Sequence, residues 1–73
     1  MVNKLALKGA IYANGDTQTS LASALGMERS SLSIKINGHT EFKPSEIENI
    51  CIRYKLSPAQ MCDIFYPEIS QNQ

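Results

Sequence analysis

The sequence predicts an all-α domain of five short helices, and three observations carry that prediction. Apolar residues recur at helical spacing along the whole chain, and no run alternates with period 2 for long enough to form a strand. Helix starts and stops fall between those runs, with Asn3, Thr17, Pro44 and Ser57-Pro58 at starts and Asn14-Gly15, Gly26 and Asn37-Gly38 at ends. Seventy-three residues, 42% of them hydrophobic, make one domain that is too apolar to stay disordered and has no repeat or linker.

The first helix spans about residues 4–13 behind an Asn3 cap. It offers two competing stripes, one of Leu5, Gly9 and Tyr12, the other of Leu7, Ala10 and Ile11, and the pattern leaves the buried face open. Tyr12 and Tyr54 are expected in the core. Residues 17–38 then form the unit that the rest of the chain serves. Thr17 caps a second helix (18–25) with Leu21 and Leu25 on one face, and Ala22 is small where a neighbouring helix crosses steeply. Gly26 supplies the positive φ that reverses the chain, Met27 is the apolar residue of the turn, and a third helix (29–36) turns Leu32 and Ile36 inward. Two helices joined so tightly have the spacing of a helix-turn-helix unit.

Residues 39–42 read as a loop containing His39, with Phe42 plugging it onto the core. A fourth helix starts near 44–46, where Pro44 suits the first position and Ser45-x-x-Glu48 has capping-box spacing. Ile47, Ile50, Cys51 and Tyr54 make its buried face, and Leu56 is the apolar residue of the next turn. Ser57-Pro58 opens a fifth helix that buries Met61 and Phe65, and Pro67 stops it. The domain therefore covers 1–69, with Ile69 a last candidate for packing and 70–73 a polar, disordered tail.

Composition removes several functions. No apolar run approaches a membrane span, and the first ten residues lack the continuous apolar segment of a signal peptide, so a cytoplasmic protein is expected. Cys51 and Cys62 are expected as reduced thiols, and one His with two distant Cys lacks metal-ligand spacing. No nucleophile–base arrangement, phosphate loop or inward carboxylate pair points to an enzyme, and no cofactor or small-molecule substrate is implied. Net charge is zero, but its distribution is uneven. Residues 1–43 hold five cations against three anions (+2), and residues 44–73 hold two against four (−2). The half with the two-helix unit carries the sign that suits nucleic acid.

With these pieces in place, the chain resembles the phage Cro/repressor-type helix-turn-helix family from about Lys4 to Phe65. The resemblance rests on TQTSLASALGM, on ERSSLS at the start of the next helix, on KINGHTEFKPSEIENI, and on IRYKLSPAQMCDIF. It implies a compact, all-helical repressor-like domain that binds double-stranded operator DNA, usually as a homodimer. The third helix would lie in the major groove, its first residues reaching base edges. By the same resemblance Gln18 touches the DNA backbone, Arg29, Ser30 and Ser33 face bases, Ser31 and Asn37 lie near phosphates, and Lys43 adds charge.

Three positions depart from the family pattern. Glu28 stands where a Ser or Thr cap is usual, and Ile34 where a long polar or basic side chain is common. Lys35 replaces an apolar residue, so its stem is expected along the core edge with the ammonium reaching out. Two functions follow from different classes. One is a stand-alone transcriptional regulator, Cro-like or repressor-like. The other is an antirepressor that grips a co-encoded phage repressor protein through Met27, Ser30 and Ile34.

Overall fold

In the computed structural model, which describes the backbone of residues 1–71 and the side chains of residues 1–69, six helices follow one another. They are α1 (Lys4–Ala13), α2 (Gln18–Leu25), α3 (Arg29–Ile36), α4 (Pro44–Tyr54), α5 (Pro58–Phe65) and α6 (Pro67–Gln71). The all-helical class and the first five boundaries agree with the sequence reading. The sixth helix corrects it. Pro67 ends α5 because it lacks an N–H, and the same fixed φ makes it a good first residue for α6. Ser70 and Gln71, expected in a disordered tail, belong to that helix, whereas 72–73 lie outside the described residues.

Side chains close the helix starts. Asn3 Oδ1 accepts from the Ala6 N–H at 3.1 Å. Thr17 and Ser20 cap each other's N–H groups (3.1 and 2.9 Å), as do Ser57 and Gln60 (3.2 and 2.8 Å). Such caps contribute about 0.5–2 kcal/mol each. At α4 the expected pair of Ser45 and Glu48 is replaced by its neighbours. Lys43 is the cap residue, and its N–H donates to Glu46 Oε1 at 2.8 Å, because Pro44 as first residue moves the third position to Glu46.

The ends of α1 to α4 share one local motif. The N–H of a residue two or three beyond the helix donates back to a carbonyl five residues earlier: Asp16 to Ile11, Met27 to Ala22, His39 to Ile34, Leu56 to Cys51, at 3.0–3.1 Å. The residue before each is left-handed. At the α2 end it is Gly26 (φ 71), as expected; at the α4 end it is Lys55 (φ 53), a lysine in glycine's conformation.

The core gathers Leu7 and Ile11 of α1, Leu21 and Ala22 of α2, and Leu32 and Ile36 of α3. Ile50 and Tyr54 come from α4, Ile64 and Phe65 from α5. α1 therefore buries its second stripe, which leaves Leu5 and Tyr12 exposed (81% and 78%) and corrects Tyr12 as a core residue. Ile64 takes the central place on α5 expected for Met61, which packs half-buried at the edge. Ile69 stays exposed. Phe42 does plug its loop, edge-on to Phe65 with ring centroids 5.5 Å apart. Cys51 and Cys62 are free thiols, both half-buried. α1 packs on α5, α2 on α3 and α4, and the Asn3 N–H donates to the Ile64 carbonyl at 2.6 Å, tying the first residues to α5. No helix among the described residues is long and apolar enough to cross a membrane.

Candidate functional site

α2 and α3 are joined by only Gly26, Met27 and Glu28, so the capping motif at Gly26 sets how α3 leaves the turn. Ala22 of α2 is 1% exposed, and its small side chain lets a neighbouring helix approach closely. α3 rests on Leu32 and Ile36, 0% and 1% exposed. Its other side is open. Ser30, Ser31 and Ile34 are exposed there, Ile34 at 44%, and Ser33 borders the face half-buried. Asn37 is exposed just beyond, its amide Nδ2 donating to the Ser33 carbonyl at 2.9 Å. The result is an eight-residue helix, about 12 Å long, presenting small hydroxyls around one branched aliphatic side chain.

Arg29 does not share that face. It precedes Ile34 by five residues, about 140° around the helix, and it lines a cleft with Gln18 where the starts of α2 and α3 meet α1. The cleft, about 210 Å³, is also lined by Lys8, Tyr12, Thr17 and Thr19. The structure thus divides the residues expected to act together: Gln18 and Arg29 sit in the cleft, and Ser30, Ser31 and Ile34 on the outer face. Lys43 is exposed at the start of α4. Met27 is half-buried against the core, which limits what a partner can reach. Glu28 begins α3 without capping it through its side chain.

Two anchors hold this unit in place, and the sequence reading missed both. Asp16, in the turn before α2, accepts from Arg53 Nε and Nη2 (2.7 and 3.0 Å), from the Tyr54 hydroxyl (2.7 Å) and from Ser20 Oγ (2.8 Å). Its side chain is only 9% exposed. The Arg53 guanidinium, then the Tyr54 and Ser20 hydroxyls, hold the Asp16 carboxyl well below the usual carboxylate range. Burial and the bond to Asp16 push the Tyr54 phenol up. The available signal was Tyr54 itself, because a buried tyrosine hydroxyl requires a partner.

The second anchor involves Lys35, whose ammonium does not reach out. It pairs with Glu46 Oε1 at 2.6 Å, both side chains about 15% exposed or less, and lies 6.0 Å from the Phe42 ring centroid. Partial burial works to raise the Glu46 pKa, but the Lys35 ammonium and the Lys43 N–H outweigh it and the carboxyl is lowered. Lys35 therefore fastens the end of α3 to α4 and is not available to a ligand.

No protein-family model, no curated protein and no solved structure matches the chain.

Proposed function

We propose that the chain is a small helix-turn-helix transcriptional regulator of the repressor-like type, Cro-like or repressor-like, that binds operator DNA by laying α3 in the major groove. The observation that supports this most is the outer face of α3. Two turns of helix, firmly held from behind by Leu32, Ile36 and the Lys35–Glu46 pair, expose Ser30, Ser31 and Ile34 and little bulk. Small hydroxyls permit close approach to base edges, and an exposed branched aliphatic side chain suits a thymine methyl group. Gln18 and Arg29 at the helix starts, and Lys43 beyond, add donors and charge where a DNA backbone would pass.

Selection of bound duplexes from a randomised pool tests this reading. Wild-type protein should enrich one sequence, and affinity for it should fall steeply with salt. Ser30→Glu, an exposed change that leaves folding intact, should abolish the enrichment by placing a carboxylate against DNA.

The second reading is an antirepressor whose α3 face binds a co-encoded phage repressor. Ile34 at the centre of the face and a net charge of zero favour it. Ile34→Arg separates the two. Against DNA it should strengthen non-specific binding and steepen the salt dependence; in an apolar protein interface it should weaken the complex by burying an unpaired charge. No enriched duplex, together with a repressor complex lost in Ile34→Arg, would install the second reading.

A further inference from the structure

The cleft beside the start of α3 has a composition that base reading does not require. Lys8 and Arg29 line it from α1 and α3, together with Tyr12, Thr19 and the buried Ile11. Two cations therefore face one opening of about 210 Å³, and no carboxylate among the described residues lines it. Neither cation has an ion-pair partner among the described residues. The nearest acid before α2, Asp16, is already taken up by Arg53, Tyr54 and Ser20. Like charges around a concave opening repel each other and raise the local potential, so the cleft is complementary to an oxyanion. Nothing within the described residues supplies one. The outer face of α3 turns away from the cleft by about 140° at Ile34, so a duplex read by Ser30 and Ile34 would bring its backbone, and not its bases, to Arg29.

We propose that this cleft seats a single backbone phosphate of the bound duplex, clamped between Lys8 of α1 and Arg29 of α3, with the Tyr12 and Thr19 hydroxyls as further donors. Arg29 is then a residue that positions the DNA, not one that reads a base, and α1 becomes part of the interface. The proposal rests on the DNA-binding reading above and adds to it a phosphate site that joins the two-helix unit to α1.

The test uses the full chain, the duplex enriched by selection, and a random duplex of equal length. Lys8→Gln and Arg29→Gln should each weaken binding to both duplexes by the same factor, roughly three- to tenfold, flatten the salt slope by about 1, and leave the enriched sequence unchanged. A single uncharged methylphosphonate, moved along the enriched duplex, should find one position whose penalty in wild type disappears in both variants. Neither side chain has an ion-pair partner among the described residues, so circular dichroism should show both variants folded. Inorganic phosphate titrated at constant ionic strength should not compete; saturable competition would make the cleft a free-phosphate site and overturn the assignment. A changed base preference in Arg29→Gln, with Lys8→Gln indistinguishable from wild type, would overturn the clamp and leave DNA binding standing. Wild-type protein that enriches no sequence and shows no salt-dependent binding would overturn both.

Discussion

Asp16 shows how much one side chain contributes to placing the site. It is separated by 37 and 38 residues from the Arg53 and Tyr54 that bind it, and it also holds Ser20, the residue that completes the α2 cap. The start of α2 is therefore fixed to α4 by charge-assisted bonds as well as by packing. The carboxyl titrates below its usual value in the folded state, so its contribution is fully present above about pH 4, the unfolded value, and is lost as pH falls through the folded one. Asp16→Asn should lower Tm at neutral pH, and the gap from wild type should hold down to about pH 4 and narrow below it. Thermal unfolding followed from pH 7 to pH 2.5 measures this; a gap independent of pH would mean the network does not depend on the charge. Nothing near Asp16 in the sequence announces these partners, because the pairing is a property of the assembled fold.

At the scale of elements, the local signals proved the most legible. Thr17, Gly26 and Ser57-Pro58 placed the boundaries of α2 and α5 because each acts through bonds within a few residues of itself. Signals that depend on a neighbouring helix were less clear. The sequence offered two faces for α1, and only packing into the shared core decides for Leu7 and Ile11. Lys35 looked like a surface charge until Glu46 and Phe42 were brought beside it. The left-handed Lys55 was also missed, since nothing but glycine or asparagine advertises that conformation. It gives a prediction about an element end. Lys55→Gly relieves the steric cost of the left-handed backbone and partly offsets this with added freedom in the unfolded chain. The net gain should be about 0.5–1 kcal/mol, read as an increase of roughly 3–6 °C in Tm. An unchanged or lower Tm would show that Lys55 makes a compensating contact.

For the molecule as a whole, fold and site were legible to different degrees. The all-helical class follows from periodicity that runs the length of the chain, whereas the arrangement of the site depends on which helix ends meet. The resemblance put Arg29 with Ser30 and Ser33 on the face that meets bases, but helical rotation turns Arg29 about 140° from Ile34, and only the junction with α1 shows Lys8 and Tyr12 lining the same cleft as Arg29. On the proposed DNA-binding reading, a net charge of zero limits non-specific attraction, so recognition would have to come from fit at α3. Binding to the folded state alone should then stabilise it selectively. At a free concentration of the enriched duplex one hundred times its Kd, unfolding should require about 2.7 kcal/mol more. Random duplex at the same concentration should shift Tm far less, and equal shifts would deny sequence-specific recognition.

The repeated motif at the ends of α1 to α4 has a kinetic consequence. Each reversal is closed by bonds spanning five residues, so helix ends and turn directions are encoded before any distant contact forms. A chain with helices this short, stacked largely on sequence neighbours, has little loop-closure entropy to overcome and belongs among the fast folders, on microseconds to milliseconds. The late event is then the return of the first residues to α5, where the Asn3 N–H meets the Ile64 carbonyl. The α2–α3 unit would be formed before the domain closes around it.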